Sequence, residues 1–216
     1  MTHLKIDFVS DVSCPWCAIG LASLERALER LEGDVKPELH FQPFELNPAM
    51  PPEGQDITEH LTHKYRTTPE QQAQAREAIR ERGAAVGFEF RKEGRSRIYN
   101  TFDAHRLLHW AALEGGERQH ALKKALLKAY FTEGRSPADR EVLAEAAAQA
   151  GLDVARAREM LAGDDYAAEV REREQFYLEN GIHAVPAVIV NDRHLIQGGQ
   201  PPEVFERALR QIAAGA

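Results

Sequence analysis

The chain has 216 residues, 43% hydrophobic and 28% charged, an ordinary soluble balance with length enough for one large domain or one domain carrying an insertion. Its 27 Lys and Arg against 34 Asp and Glu leave a formal charge of −7, which offers nucleic acid no electrostatic footprint. The longest apolar run, Ala184 to Val190, falls far short of the about 20 residues a membrane span needs, so no membrane is expected as a partner.

The chain opens on a strand signal: Leu4, Ile6 and Phe8 alternate with Lys5 and Asp7. Helical spacing follows through Ile19, Leu21, Leu24, Ala27, Leu28 and Leu31, and Gly33 stops it. Where strand gives way to helix stand the only two cysteines, in Cys14-Pro15-Trp16-Cys17. Pro15 suits a first helical turn, where its missing N–H costs nothing, so Cys14 falls at or just before a helix N-terminus. Unpaired amides and the positive end of the helix dipole favour a thiolate there, below the about 8.5 of a free cysteine. Cys14 is the expected nucleophile. Cys17, one turn further in, is the expected resolving thiol, placed to attack a mixed disulfide at Cys14.

A structural disulfide competes with this reading, but a four-residue loop gains only about 2 kcal/mol from closure. Zinc is a second alternative, with His105 and His109 sharing a helix face. The gap between the pairs is far longer than in a finger, and there is no second cysteine pair, so no metal is expected. Two inert buried thiols are the third alternative, which the proline and the helix start oppose.

Residues 38 to 44 alternate again as a second strand, making residues 4 to 44 a βαβ unit that favours a parallel pair. Strand signals then vanish for about 140 residues. Helix starts are expected at Asp56 with Glu59, Thr68-Pro69 with Gln71, Asn100 with Asp103, and Ser136-Pro137 with Asp139. Stops are expected at Gly83 or Gly87, Gly115-Gly116, Gly134, Gly151, Gly163 and Gly181, which leaves room for six or seven helices. Leu122, Leu126, Ala129 and Tyr130, the Ala-rich stretch from Val142 to Ala150, and Phe102, Leu107, Trp110 and Leu113 read as core. The mixed-sign runs Arg76 to Arg82 and Arg171 to Glu174 read as solvated helix faces. Strand character returns at Pro186 to Val190, turns at Asn191-Asp192, and continues through His194 to Gln197. A closing helix runs from Pro201 or Pro202 to Ala213.

The order of these elements resembles the thioredoxin fold in its DsbA-like form, an α/β fold with a large all-helical insertion between the βαβ and ββα halves. Four segments resemble its cytoplasmic FrnE-like branch. They are Asp11 to Cys17, Phe44-Glu45-Leu46-Asn47-Pro48, Asn100 to Leu107, and Val185-Pro186 with Gly198-Gly199-Gln200-Pro201. Residues 1–54 and 182–216 would then form a discontinuous thioredoxin-like domain, and 55–181 the insertion. The resemblance implies a cis peptide at Val185-Pro186 facing the dithiol, with the backbone of Val185 clamping an extended substrate. It implies dithiol exchange through a Cys14-Cys17 disulfide, with no bound cofactor, on disulfide- or thiol-containing proteins or small molecules.

Trp16 stands where periplasmic DsbA proteins carry histidine, and an indole offers the thiolate no positive charge, so a less oxidising couple is expected. Relatives of the branch include 2-hydroxychromene-2-carboxylate isomerases and kappa-type glutathione transferases, so glutathione is kept as a co-substrate. A glutathione-dependent isomerase or transferase remains the alternative enzyme, and a peptide-binding, chaperone-like module the alternative of another class. His105 and Arg106 match the family segment and would line the cleft above the dithiol, against a plain reading of His105 as a buried interhelical residue. Asp11 would tune the site by charge, or merely form a turn. The N-terminus enters a strand almost at once, without a signal sequence, so a cytoplasmic protein is expected, as monomer or homodimer.

Overall fold

The first strand, β1 (Thr2–Ser10), is the centre from which the fold is built. Leu4, Ile6 and Phe8 have no exposed surface, as the alternation requires, and they face helix α1 (Pro15–Arg30) and the C-terminal helix α9 (Pro202–Ala214) in one core. Strand β2 (Val35–Pro43) pairs parallel with β1, Phe8 opposite Phe41, as a right-handed crossover through α1 provides. This computed structural model describes residues 1–51 and 53–215.

Strand β5 (Ala187–Val190) comes back antiparallel on the other edge of β1, and β6 (His194–Gln197) follows it, giving the order β2-β1-β5-β6. Asn191 and Asp192 take φ of 53° and 55° in the three-residue turn 191–193, where the Arg193 amide donates to the Val190 carbonyl at 3.1 Å. The second face of the sheet is also covered: Val9, Phe44, Tyr177, Ile182 and Ala187 pack together there.

Seven helices lie between β2 and β5 among the described residues: α2 (Ile57–Tyr65), α3 (Pro69–Val86), α4 (Phe102–Leu113), α5 (Gly116–Phe131), α6 (Arg140–Gln149), α7 (Val154–Ala162) and α8 (Ala167–Glu179). Asp56 caps α2 by accepting from the Thr58 and Glu59 amides, and Thr68 with Gln71 forms a full capping box on α3. Two expected starts move. Thr101 precedes α4, with Asn100 accepting from the Phe102 amide, and Asp139 rather than Ser136 caps α6, because Ser136 forms a turn of its own ahead of it. Gly87, not Gly83, ends α3.

The insertion also departs from an all-helical one: β3 (Gln55–Asp56) and β4 (Arg97–Ile98) pair antiparallel. Two residues are too few to print a period-2 pattern. Leu113, expected in the core, is 65% exposed at the last turn of α4, while Leu107 and Trp110 are buried with Leu122 and Leu126.

Candidate active site

Cys14 is the N-cap of α1, in extended backbone at φ −90° and ψ 115°, with Pro15 opening the helix. Its carbonyl accepts from the Cys17 and Ala18 amides at 3.1 and 3.4 Å, so the first turn forms around the motif itself. The Cys14 thiol is buried and points at the Val185 carbonyl, 3.8 Å away. Val185-Pro186 is a cis peptide, and Pro186 is buried beneath it.

The two sulfurs differ in their environment. A hydrogen bond from Cys17 holds the Cys14 thiol below its ordinary value against its own burial, helped by the Cys17 and Trp16 amides and opposed by the charge of Asp11. Burial pushes Cys17 well above its ordinary value, and the hydrogen bond and charge of Cys14 add to that. Cys14 is thus the more acidic sulfur of the pair and Cys17 the less acidic.

Glycines let the surrounding loops close on this helix end. A Cβ on Gly20 would stand 3.0 Å from Pro186 Cγ, and one on Gly199 would stand 2.9 Å from the Trp16 carbonyl oxygen. The Gly198 amide donates to the Pro186 carbonyl at 2.8 Å, which ties the end of β6 to the same loop.

Asp11 closes the loop after β1. Its carboxylate accepts from the Ser13 amide and hydroxyl at 3.0 and 2.9 Å and from the Leu46 amide at 2.7 Å. Burial works against its charge, yet His105 and these donors hold its pKa at about 2. His105 Nε2 stands 3.6 Å from Asp11 Oδ1, just outside hydrogen-bond distance.

His105 is therefore buried against Asp11 and does not line the cleft in front of Cys14, where the family match places it. Arg106 is likewise structural: it donates to Asp103 and to the carbonyls of Met160, Gly163 and Asp165, fastening α4 to the end of α7. His109 stacks against Tyr166, and among the described residues no cluster of three or more His, Cys, Asp or Glu is placed to hold a metal.

In front of Cys14 lies a cleft of about 440 Å³, walled by Trp16 and Val185 on one side and by α2, α3 and the 90–98 loop on the other. Trp16 is 37% exposed at its rim, with the Arg82 guanidinium 5.6 Å from its ring. Arg76, Arg80, Arg91 and Arg95 line the cleft, and among the described residues no Asp or Glu does. Arg95 also donates to the Ser13 carbonyl at 2.8 Å and stacks on Phe131, pinning the 90–98 loop to the cysteine loop.

Three features escaped the reading of the residues. Arg76 and Arg80 sit in a mixed-sign run yet face the cleft. Arg171 and Glu174, in the other such run, join Glu45: the two buried carboxylates are bridged by one guanidinium. Burial first, and then the Glu174 charge, lift Glu45 to about 7. Lys123, completely buried on α5, carried no signal in the Leu/Ala stripe around it.

A family model described as a DSBA-like thioredoxin domain matches residues 5–210. The chain belongs to this family. A probable DsbA oxidoreductase from Streptomyces coelicolor superposes with a TM-score of 0.88 at 36% identity, covering 99% of this chain and 91% of that one. An uncharacterized protein of Bacillus subtilis, YwbO, is 27% identical over 208 residues, 96% of this chain and 95% of its own. The fold alone is shared with a cytosolic disulfide reductase, DsbM from Pseudomonas aeruginosa with GSH, at a TM-score of 0.63, 20% identity, and 96% and 98% coverage. DSBA-like members are thiol-disulfide oxidoreductases, and no described helix here is long and apolar enough to cross a membrane.

Proposed function

We propose that the chain reduces or rearranges disulfides by dithiol exchange. Cys14 ionises, giving its proton to solvent; the thiolate attacks one sulfur of a substrate disulfide, and the other sulfur leaves with the bonding pair and takes a proton back from solvent. Cys17 then attacks the mixed disulfide at Cys14, forming Cys14–Cys17 and releasing the second substrate thiol. The substrate gains two electrons and two protons, and the dithiol loses them. The observation that carries this reading is the asymmetry of the pair: a helix-capping Cys14 favoured as thiolate, hydrogen-bonded by a deeper Cys17 kept protonated.

The cis loop of Val185-Pro186 serves as the clamp in this reading, because its carbonyl already addresses the Cys14 sulfur. Residues 1–54 with 182–216 act as the redox unit, and 55–181 covers the cleft. Glutathione is proposed as the thiol that returns the electrons, supported by a cleft lined with arginines and, among the described residues, no carboxylate. The cytoplasm, where glutathione is abundant and reduced, is the proposed compartment.

Insulin and glutathione-disulfide reduction by wild type, Cys14→Ser and Cys17→Ser test the proposal. Cys14→Ser should abolish both activities, and Cys17→Ser should accumulate a mixed disulfide. Full turnover by Cys17→Ser with glutathione would favour a glutathione-dependent transferase or isomerase instead.

A further inference from the structure

Lys123 is a cation that the exchange described above does not use. None of its surface is exposed and its Nζ has no hydrogen-bond partner among the described residues, a rare state for a lysine. The register of α5 explains its direction. Gln119, one turn earlier, holds both the amide and the carbonyl of Phe41 on β2. His120 and Lys124 hold Glu25 on α1. Leu127, one turn later, joins the core cluster that contains Cys14 and Cys17. Gln119, Lys123 and Leu127 share one helix face, so Lys123 enters the space behind the dithiol, between β2 and α1.

The charges that reach it there are those of Cys17, Asp11 and Cys14. Most other charged groups on the elements packed around α5 are engaged elsewhere; Lys36 on β2, Glu29 on α1 and Arg140 on α6 are exposed, and His109 on α4 lies against Tyr166. Glu25 pairs with His120 and Lys124, His40 with Glu38, Arg106 with Asp103, Glu145 with Arg135 and Glu141 with Arg158, while His105 lies against Asp11. Burial draws Lys123 down, and the charges of Cys17, Asp11 and Cys14 draw it up. Its ammonium is thus most favoured at the moment Cys17 becomes a thiolate.

We propose that Lys123 is a positioning residue for resolution, an unpaired ammonium supplied by the insertion that stabilises the Cys17 thiolate as it attacks the mixed disulfide. The proposal rests on the dithiol exchange above. In the step it assists, the proton of Cys17 passes to the leaving substrate sulfur, the Cys14–substrate bond breaks and the Cys14–Cys17 bond forms. Lys123 keeps its own proton throughout.

The test is Lys123→Met, close in shape and without charge. Reduced protein is mixed with glutathione disulfide, quenched in acid, and the glutathionylated form followed by mass spectrometry across a range of pH. Each unit by which Cys17 rises cuts its thiolate tenfold, and the more basic thiolate recovers about threefold in nucleophilicity. Decay of the mixed disulfide is therefore expected to be about three- to tenfold slower, with its pH midpoint moved upward. Alkylation of Cys14 by iodoacetamide should stay within about twofold of wild type, and the melting temperature should hold or rise, since a buried unpaired charge is gone. Lys123→Gln should slow decay equally. Wild-type decay and pH midpoint in both variants, with a normal mixed-disulfide trap in Cys17→Ser, would overturn this proposal alone. Failure of Cys17→Ser to trap any mixed disulfide would overturn the exchange reading and this proposal together.

Discussion

The Cys14 sulfur lies 3.8 Å from the carbonyl oxygen of Val185, a residue 171 positions away in the chain. That contact brings the βαβ half and the ββα half to one point. In the proposed exchange Cys14 is therefore the sulfur that meets substrate, and Cys17, with no exposed surface, stands behind it.

The first prediction concerns this asymmetry. Thiolate absorbance at 240 nm should show one sulfur titrating below an ordinary cysteine and a second titrating well above it, with the lower midpoint lost in Cys14→Ser and kept in Cys17→Ser. Cys17→Ala, which unlike serine keeps no hydrogen-bond donor, should raise that midpoint, because this bond is the foremost cause of its depression. Trp16 supplies no positive charge, so a midpoint as low as the about 3.5 of the most oxidising relatives would contradict the reading.

A second prediction tests the close approach at Gly199. A methyl group there meets the Trp16 backbone oxygen at 2.9 Å, and neither partner is a flexible side chain that can yield. Gly199→Ala should cost about 1–3 kcal/mol by overpacking and slow insulin reduction, because the helix end carrying Cys14 must shift. Gly116→Ala is the control: its nearest neighbour would be 3.9 Å away, in a helix first turn, and it should melt no lower than wild type. Thermal melts of both variants decide the matter.

Most of the architecture was legible in the residues, for definite reasons. The alternation in β1, the Asp56 and Thr68 caps and the Asn191-Asp192 turn are local signals with local causes, and each element formed where its signal stood. Cys14 was legible too, because a proline marks the helix start. What could not be read were relationships made by packing. Arg76 and Arg171 look alike as members of charged runs, and only the fold puts one in the cleft and the other between two carboxylates. Leu113 looked like core because its helical spacing is right, but α4 ends there and nothing covers it. His105 matched a family segment, and that match could not say which side of Asp11 the ring would take.

Stability should depend on pH through two groups with opposite signs. Asp11, buried and held at about 2 against about 3.9 in an unfolded chain, contributes roughly 2 kcal/mol above pH 4 that disappears as pH falls toward 2. Glu45, lifted to about 7 from about 4.3, does the reverse: its contribution is complete below pH 4 and is lost as pH rises through 7. Melting temperature should therefore peak in mildly acidic solution and decline toward neutrality. Glu45→Gln should flatten that decline and leave the acid limb unchanged. A decline of the same slope in the variant would show that Glu45 is not its source.

The last prediction addresses what the cleft accepts. Of its four arginines, Arg80 is held by Glu77, Arg91 by Glu93, and Arg95 is spent on the Ser13 carbonyl. Arg76 lines the cleft with no ion-pair partner among the described residues, and it is exposed on α3, so reversing its charge should hardly affect folding. An exposed pair with a substrate carboxylate is worth up to about 1 kcal/mol, or roughly fivefold in affinity. Arg76→Glu should raise the KM for glutathione disulfide by at least that factor, since it also adds repulsion, and leave kcat nearly unchanged. Hydroxyethyl disulfide, which carries no charge, should be reduced by the variant as by wild type, and salt should narrow the difference between the two substrates. An equal change for the charged and the neutral disulfide would mean that the arginine shapes the cleft without reading charge, and would remove the support it gives to glutathione.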